Sequence, residues 1–446
     1  MSLWGGRFQQ GPSDLLWAYT VERADERLLK HDIAGSIAHV RMLAAVGLIS
    51  ESEGDDLIRG LETISHDGVE YLQTDEDILS AVERRLFELI GEVAGKLHTG
   101  RSRNDQIALD LRLFLAEAAD DQMAGIQRFV MQIVQTAERH TRTPVASYTH
   151  LQQAQVTSLA HHLLAYAWMA RRDADRLEDF SRRVAVSPLG AGASAGSSLP
   201  LEPAITAELL GWDSTFDNSM EAVGSRDLAA EYVFICSQAM VNLSRLAEEI
   251  ILWSSQEFNW MTLPDDLATG SSAMPHKKNP DIAELARGRA AIAVSDTAAI
   301  LGLQASLPLT YNRDLQEDKR LVFSAHDRLM SSGQALGALV AGSEFHPPRP
   351  GSLVLSLDLA EVLVGRGVPF REAHEIVGGL VAEAEHSGIG LFDLKPEILQ
   401  AAHPSLTVDD IPTIEDSLER RAVPGSGSPA DIAVQVIALK AWARED

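Results

Sequence analysis

Five long stretches of this chain repeat apolar residues at helical spacing and contain almost no proline. Over 105–139, Ile107, Leu111, Phe114 and Ala118 fall on one stripe, continued by Ile126, Val130, Ile133 and Ala137. The pattern predicts further helices over 152–185, ending before Pro188, and over 226–262, ending before Pro264. Two more follow over 281–305, ending before Pro308, and over 314–341, where Gly342 offers a C-terminal cap. Such helices span roughly 35–55 Å at about 1.5 Å per residue. An average globular helix has only about 11–12 residues. Rods this long bury their stripes best beside parallel neighbours, so a bundle is expected. Ala, Ile and Leu nearly surround 290–305. Partner chains would cover the remaining apolar faces, so a homo-oligomer is expected whose core joins bundles from several subunits.

The flanks read differently. Residues 1–100 hold shorter helical patterns, over 25–46, 52–65 and 75–92, punctuated by Gly. Residues 355–446 carry Pro369, Pro396, Pro404, Pro412, Pro424 and Pro429 among short amphipathic pieces. Pro424-Gly425-Ser426-Gly427-Ser428-Pro429 reads as a surface loop, and the Gly- and Ser-rich connection 186–203 as loop or short strand. There is no internal repeat and no sustained strand alternation. The reading is all-α in three parts: a helical N-terminal domain over 1–102, a central bundle over 103–354 and a small helical domain over 355–446.

Composition narrows the function. The chain has 446 residues, 45% of them hydrophobic, enough for a large core. Lys and Arg number 38 against 64 Asp and Glu, a formal net charge of −26. That disfavours nucleic acid and anionic membrane as partners. An anionic ligand would need its cations concentrated locally. The one cysteine, Cys236, lies in the apolar run Tyr232-Val233-Phe234-Ile235-Cys236 and reads as a core thiol. No apolar leader and no run long enough to span a bilayer is seen, so a cytoplasmic protein is expected.

Four polar clusters fall at the ends of the predicted rods. His98-Thr99-Gly100-Arg101-Ser102-Arg103-Asn104-Asp105 precedes the first, where helix N-termini attract anions and Arg side chains bind carboxylates in bidentate fashion. Tyr148-Thr149-His150-Leu151-Gln152 opens the second, and His150 supplies a group that titrates near neutrality. His161 and His162, further along, read as packing or surface residues. Gly270-Ser271-Ser272-Ala273-Met274-Pro275-His276-Lys277-Lys278-Asn279-Pro280 feeds the fourth. It is a Gly-hinged loop with two hydroxyls, two ammonium groups and an amide, suited to closing on a small polyanion. Tyr311-Asn312-Arg313-Asp314-Leu315-Gln316-Glu317-Asp318-Lys319 opens the fifth with a phenol, an amide and an ammonium.

No Walker A loop is present, Gly190 to Gly196 misses the dinucleotide spacing, and no His/Cys set has zinc spacing. The expected chemistry uses neither cofactor nor metal. A β-elimination on a substrate with several carboxylates fits: a base takes a proton next to a carboxylate, cations and N–H groups hold the dianion, and an acid protonates the leaving atom. Ser271 serves as base only if adjacent N–H groups and Lys277 depress its hydroxyl pKa strongly.

Taken together, these clusters resemble the fumarase/aspartase superfamily and, within it, the argininosuccinate lyase family. The likeness runs from Leu3-Trp4-Gly5-Gly6-Arg7-Phe8 through the four clusters, Asn218-Ser219-Met220 and Ser225-Arg226-Asp227, to Gly367-Val368-Pro369-Phe370-Arg371-Glu372-Ala373-His374. The resemblance implies three mainly helical domains and a homotetramer with a twenty-helix core. Each active site would draw on three subunits and cleave argininosuccinate reversibly to arginine and fumarate. It implies Ser271 and His150 as the proton-transfer pair, Ser271 in the place that takes the Cβ proton and His150 serving the leaving group, with the reverse assignment open. Asn104, Thr149, Lys277 and Asn279 match positions around the fumarate half. Tyr311, Gln316 and Lys319 match the arginine half. Arg103 and Arg226 match anion contacts, beside Ser102. Val21, where the family has Ser, and Leu79, where it commonly has His, depart from the pattern and would remove polar contacts to the leaving group. Ala273 with His276 makes the loop more similar to adenylosuccinate lyase or carboxymuconate cycloisomerase. The alternatives are a paralogous lyase acting on another N-substituted aspartate and a non-catalytic, crystallin-like structural protein.

Overall fold

The computed structural model describes residues 11–444 except 22 and 422. The Leu3–Phe8 part of the resemblance lies outside these residues. Four helices open the chain: α1 (Asp14–Thr20), α2 (Leu29–Ala45), α3 (Glu51–Asp67) and α4 (Ile78–Ile90). Their limits are written in the sequence. Ser50 with Glu53, and Asp77 with Ser80, form reciprocal capping boxes at the starts of α3 and α4. Gly68 closes α3 at φ 75°, a left-handed position that residues with a Cβ resist. The first long helix, α5 (Arg103–Glu138), follows.

A correction comes next. The segment read as the start of the second rod is a hairpin, β1 (Pro144–Thr149) paired antiparallel with β2 (Gln152–Ser158), and α6 (Leu159–Val184) begins only after it. Two-residue strands β3 (Val186–Ser187) and β4 (Ser214–Thr215) pair in parallel around α7 (Pro203–Leu209). After α8 (Ser219–Gly224) comes α9 (Asp227–Trp253), shorter than the predicted 226–262. The chain turns back at its end. Trp260 N donates to Trp253 O over 2.8 Å and the two indoles stack 5.9 Å apart. Strand β5 (Met261–Thr262) then meets β8 (Glu344–Phe345), and β6 (Thr269–Gly270) meets β7 (Lys278–Asn279). Between them lie α10 (Asp281–Gln304) and α11 (Asp318–Gly342), the latter preceded by a tight turn over 313–317. Five helices close the chain: α12 (Ser356–Gly365), α13 (Phe370–Ser387), α14 (Pro396–Ala402), α15 (Ile414–Glu419) and α16 (Pro429–Trp442). The helical class is as expected.

The chain divides into two compact units, one of Met1–Met123, Asp175–Gln238 and Ile292–Leu329, the other of Ala124–Ala174, Ala239–Ala291 and Met330–Asp446. In the first, Val40, Leu43, Leu57, Leu61, Ile64 and Leu86 form a core under α2–α4. Its long-helix segments are joined side by side. Phe114 of α5 meets Phe323 of α11 edge to face at 4.7 Å, Tyr232 of α9 hydrogen-bonds His326 at 2.8 Å, and Ser237 donates to Ala293 O of α10 over 2.6 Å. Cys236 is buried there as a free thiol. In the second unit, Leu355, Leu359, Leu363, Leu380, Leu399 and Leu406 form a core under α12–α14, joined by Ala146 and Val156 of the hairpin. Helices α5 and α11 approach so closely there that a Cβ on Gly337 would fall 2.0 Å from Gln132 Oε1.

Asp25, only 3% exposed, ties the turn before α2 to the start of α4, accepting from Tyr71 Oη at 2.8 Å and Ile78 N at 3.1 Å. Burial pushes its carboxyl up from 3.8 to about 6, against the opposing pull of those two donors. The folded state therefore holds this proton to higher pH than the unfolded chain. Its stabilising contribution is full below about pH 4 and is lost as pH rises through about 6. Relative to Asp25→Asn, the wild type should lose on the order of 2–3 kcal/mol across that window. Urea midpoints at a series of pH values check this; parallel curves for the two proteins would refute it.

Candidate active site

In the first unit, the start of α5 is organised by one carboxylate. Asp105, fully buried, accepts from Ser102 N at 2.9 Å, Gly190 N at 3.1 Å and Gly192 N at 2.8 Å. Burial raises its pKa, and the three N–H donors act against that rise. The Gly-rich loop that failed as a nucleotide motif is thus wrapped onto the helix start. Gly192 has φ 63°, and a Cβ there would lie 2.8 Å from Gly196 O. The same loop offers Ala193 O to Asn104 Nδ2 at 3.1 Å, which orients the Asn104 amide. Ser102 Oγ accepts from Asn104 N at 3.2 Å as a cap. Arg103 pairs with Glu83 at 2.9 Å, and buried Arg101 donates to Ser36 Oγ at 2.9 Å.

The glycine loop leads from this cluster to the next. Ala191 is buried against Ala222 and Val223, with Phe216 and Tyr311 packed on the same group. Gln316 Nε2 donates to Tyr311 Oη, and Lys319 Nζ donates to Gln316 Oε1 at 2.7 Å. Lys319 Nζ also lies 3.6 Å from Asp318. Arg226 donates from Nε to Asp318 at 2.6 Å and from Nη1 to Val223 O and Ser225 O. Lys319 and Arg226 are buried at 1% and 4% exposure, so this cation pair and Asp318 form an internal charge network. Desolvation raises the Tyr311 phenol, keeping it a protonated donor at neutral pH. Sequence reading named Arg226, Tyr311, Gln316 and Lys319 as site residues, but gave no site role to Asp105, Asp318 or the 190–193 loop. The only signal for Asp105 was its place in a helix's first turn.

The second unit carries the other candidates. His150 and Leu151 form the two-residue tip of the hairpin at φ 54° and 58°, the geometry of a type I′ turn. Residues with a Cβ resist that conformation by roughly 1–2 kcal/mol each, a strain that gathers at functional sites. Thr149 pairs with Gln152 beneath the tip, and His150 is exposed. The 270–280 segment is closed at its base, where Thr269 Oγ1 donates to Asp281 and Asn279 Nδ2 donates to Thr269 Oγ1 at 3.3 Å. Lys278 is committed to Asp265 at 2.6 Å, while Lys277 is exposed. Ser271 Oγ accepts from the backbone N–H groups of Ala273 at 3.3 Å and Met274 at 3.1 Å. Two N–H donors on one hydroxyl oxygen are the arrangement that would stabilise its deprotonated form. No hydrogen bond among the described residues joins the hairpin tip to this loop.

Of the two departures noted in the sequence, Leu79 is buried and packs with Ile78 and Ile107 against Leu29, Val69 and Tyr71. Val21 is half-buried.

Residues 6–294 match the family described as lyase, and residues 354–419 match that described as argininosuccinate lyase C-terminal. The argininosuccinate lyase of Mycobacterium sp. (strain MCS) is 46% identical over 448 residues, covering 98% of this chain and 95% of that protein. That of Nitratidesulfovibrio vulgaris is 43% identical over 452 residues, covering 99% and 98%. Among solved structures, an EDDS lyase in complex with formate superposes with a TM-score of 0.82 at 28% identity, over 96% of this chain and 88% of that one. A fumarate lyase from Mesorhizobium sp. BNC1, 17% identical with a TM-score of 0.74 over 97% and 99%, shares the fold.

The Asp105 geometry has a direct consequence. Asp105→Asn places an NH2 group where an N–H donor must be received, leaving a buried donor unpaired. Stability should fall by roughly 1–3 kcal/mol, and amide exchange at Gly190 and Gly192 should accelerate. An unchanged urea midpoint with unchanged exchange would show that the loop does not depend on this carboxylate.

Proposed function

This chain belongs to the argininosuccinate lyase family of the fumarase/aspartase superfamily, and on that premise we infer its reaction: argininosuccinate is cleaved reversibly to arginine and fumarate. The observation that carries this is near-full-length identity to argininosuccinate lyases from several genera. The reaction is a carbon–nitrogen elimination. A proton leaves the succinyl Cβ, its electron pair forms the C=C bond of fumarate, the Cα–N bond breaks, and the departing guanidino nitrogen takes a proton.

Ser271 takes the Cβ proton. Its hydroxyl oxygen already receives two backbone N–H groups, which supports formation of an alkoxide. Lys277 and Asn279 on the same loop face the carboxylates, and charge builds up there as the aci-carboxylate forms. His150 protonates the leaving nitrogen, with Thr149 beside it. Asn104, Ser102 and Arg103 hold the fumarate half at the N-terminus of α5, where the helix dipole favours anions. Tyr311, Gln316 and Lys319 line the arginine half, and Arg226 serves as an anion contact.

Self-association completes the reading. Leu285, Ile292, Val294 and Leu301 of α10 are each more than half exposed, far more apolar surface than one long helix leaves to water by chance. A homotetramer with a twenty-helix core would bury them. It would also bring the hairpin of one subunit and the loop of another to the helix ends of a third. The three-domain division at 102 and 354 and a cytoplasmic location belong to the same reading. No helix among the described residues is long and apolar enough to cross a membrane.

Purified protein with argininosuccinate, followed by fumarate absorbance, tests the reaction. Fumarate released only from a different succinyl adduct would replace the substrate but keep the chemistry. Ser271→Ala should abolish measurable turnover. His150→Asn should fold, because Asn accepts the left-handed backbone of the tip, and should lose about 10²–10⁴-fold in kcat. Full activity in the folded Ser271→Ala protein would remove Ser271 from the base role.

A further inference from the structure

The hairpin that carries His150 is fastened at its far end by a segment almost 270 residues away. Strands β1 and β2 pair from Thr149↔Gln152 at the tip to Val145↔Thr157 and Pro144↔Ser158 at the stem. Across the stem lies the 425–427 strap, the loop between Pro424 and Pro429. Its three successive carbonyls are each taken. Gly425 O receives His161 Nε2 at 3.0 Å, Ser426 O receives Gln435 Nε2 at 3.1 Å, and Gly427 O receives Ser158 Oγ at 3.4 Å. Helix α16 holds the strap from the other side. Gln435 also accepts from Trp168 Nε1 of α6 at 3.1 Å, and Ser428 caps the helix by accepting from Asp431 N at 3.2 Å.

His161 is the centre of this joint. A carbonyl oxygen can only accept, so Nε2 carries the ring proton. In the neutral ring Nδ1 is then the acceptor, 2.8 Å from Thr157 Oγ1, whose hydroxyl donates to it. The ring is thus fixed at both nitrogens, one to the end of β2 and one to the strap. Its own backbone N–H donates to Ser158 Oγ at 3.1 Å. The fit is close: a Cβ on Gly427 would lie 2.3 Å from Thr157 Oγ1 and 3.1 Å from His161 Nδ1.

We propose that His161 and the 425–427 strap form a latch that sets the direction of the catalytic hairpin, making His161 a positioning residue for the reaction. The proposal rests on the assignment of proton transfer to His150. The tip is a strained turn about 17 Å from the stem at roughly 3.4 Å per residue. A small tilt at the joint is amplified along that length. A 1 Å misplacement of a reacting group costs about 100-fold in rate. His161 touches no substrate in this scheme; it acts through the backbone of β2.

The full-length protein tests this in four variants, each checked for fold by circular dichroism and assayed with argininosuccinate. His161→Ala removes the joint, Gly427→Ala wedges the strap off Thr157, and His161→Gln restores a donor to Gly425 O. His150→Asn reports on the underlying assignment. In His161→Ala and Gly427→Ala, kcat should fall about 10–100-fold while KM stays within about twofold, because His150 acts in the transition state. His161→Gln should recover most of the lost kcat, which a merely structural role does not require. Wild-type kcat in folded His161→Ala, or in folded Gly427→Ala should His161→Ala not fold, overturns the latch. So does a His161→Gln protein as slow as His161→Ala. If His150→Asn itself keeps full turnover, the assignment of His150 falls instead.

Discussion

Each long helix has unpaired N–H groups and a partial positive charge at its start, and this chain meets that constraint with first-turn aspartates that also fasten a functional segment. Asp105 of α5 holds the 190–192 loop. Asp227 of α9 receives Ser225 Oγ and Leu228 N. Asp281 of α10 receives Thr269 at the base of the 270–280 loop. Asp318 of α11 pairs with Arg226. In each case a carboxylate favoured by the helix dipole does a second task as a hydrogen-bond anchor; at Asp105 and Asp318 it holds candidate site residues directly, Ser102 and Arg226. The fifth rod, α6, has no acidic residue in its first turn. It emerges from a strand, and there Ser158 caps the helix while the strap supplies the anchor that an aspartate supplies elsewhere.

What the sequence made legible follows from the range of the forces involved. Apolar stripes with a 3.6-residue period are local and strong, so all five rods could be read, and prolines marked where their stretches must stop. The hairpin was missed because its alternation is brief. Gln152-Gln153-Ala154-Gln155 offers no hydrophobic period, and the strand leads into α6 without a break. The early end of α9 was missed because it depends on Trp253 and Trp260 stacking, a contact that periodicity does not contain. Candidate site residues were legible as chemical types at rod ends. Their partners were not: Asp105 meets Gly190 and Gly192 from 85 and 87 positions away, and Arg226 meets Asp318 from 92. A sequence shows that a cation is present, not whether it is already paired.

That distinction bears on how an acidic chain handles an anionic substrate. With 64 acidic and 38 basic side chains, the long-range field opposes the ligand. Cations of the first unit's cluster are engaged within the chain: Arg103 by Glu83 and Arg226 by Asp318. Such pairs cost desolvation, and removing one partner of a buried pair leaves an uncompensated charge. Their value is positional, because they set rigid frames around neutral donors such as the Asn104 amide, the Tyr311 phenol, the Gln316 amide and the backbone N–H groups. Lys277 sits on an exposed loop rather than a helix end, and in the proposed reaction it adds its charge at the substrate carboxylates. In the proposed reaction, recognition rests on short-range, oriented dipoles that the adverse net charge hardly weakens, since free charges more than about 8–10 Å away are screened at physiological salt. In the proposed reaction, proton transfer falls to two groups on less constrained elements, Ser271 on its loop and His150 on its strained tip. Precision there has to come from what holds those elements at their bases, and the hydrogen-bonded joints at Thr269–Asp281 and at His161 are where the chain provides it.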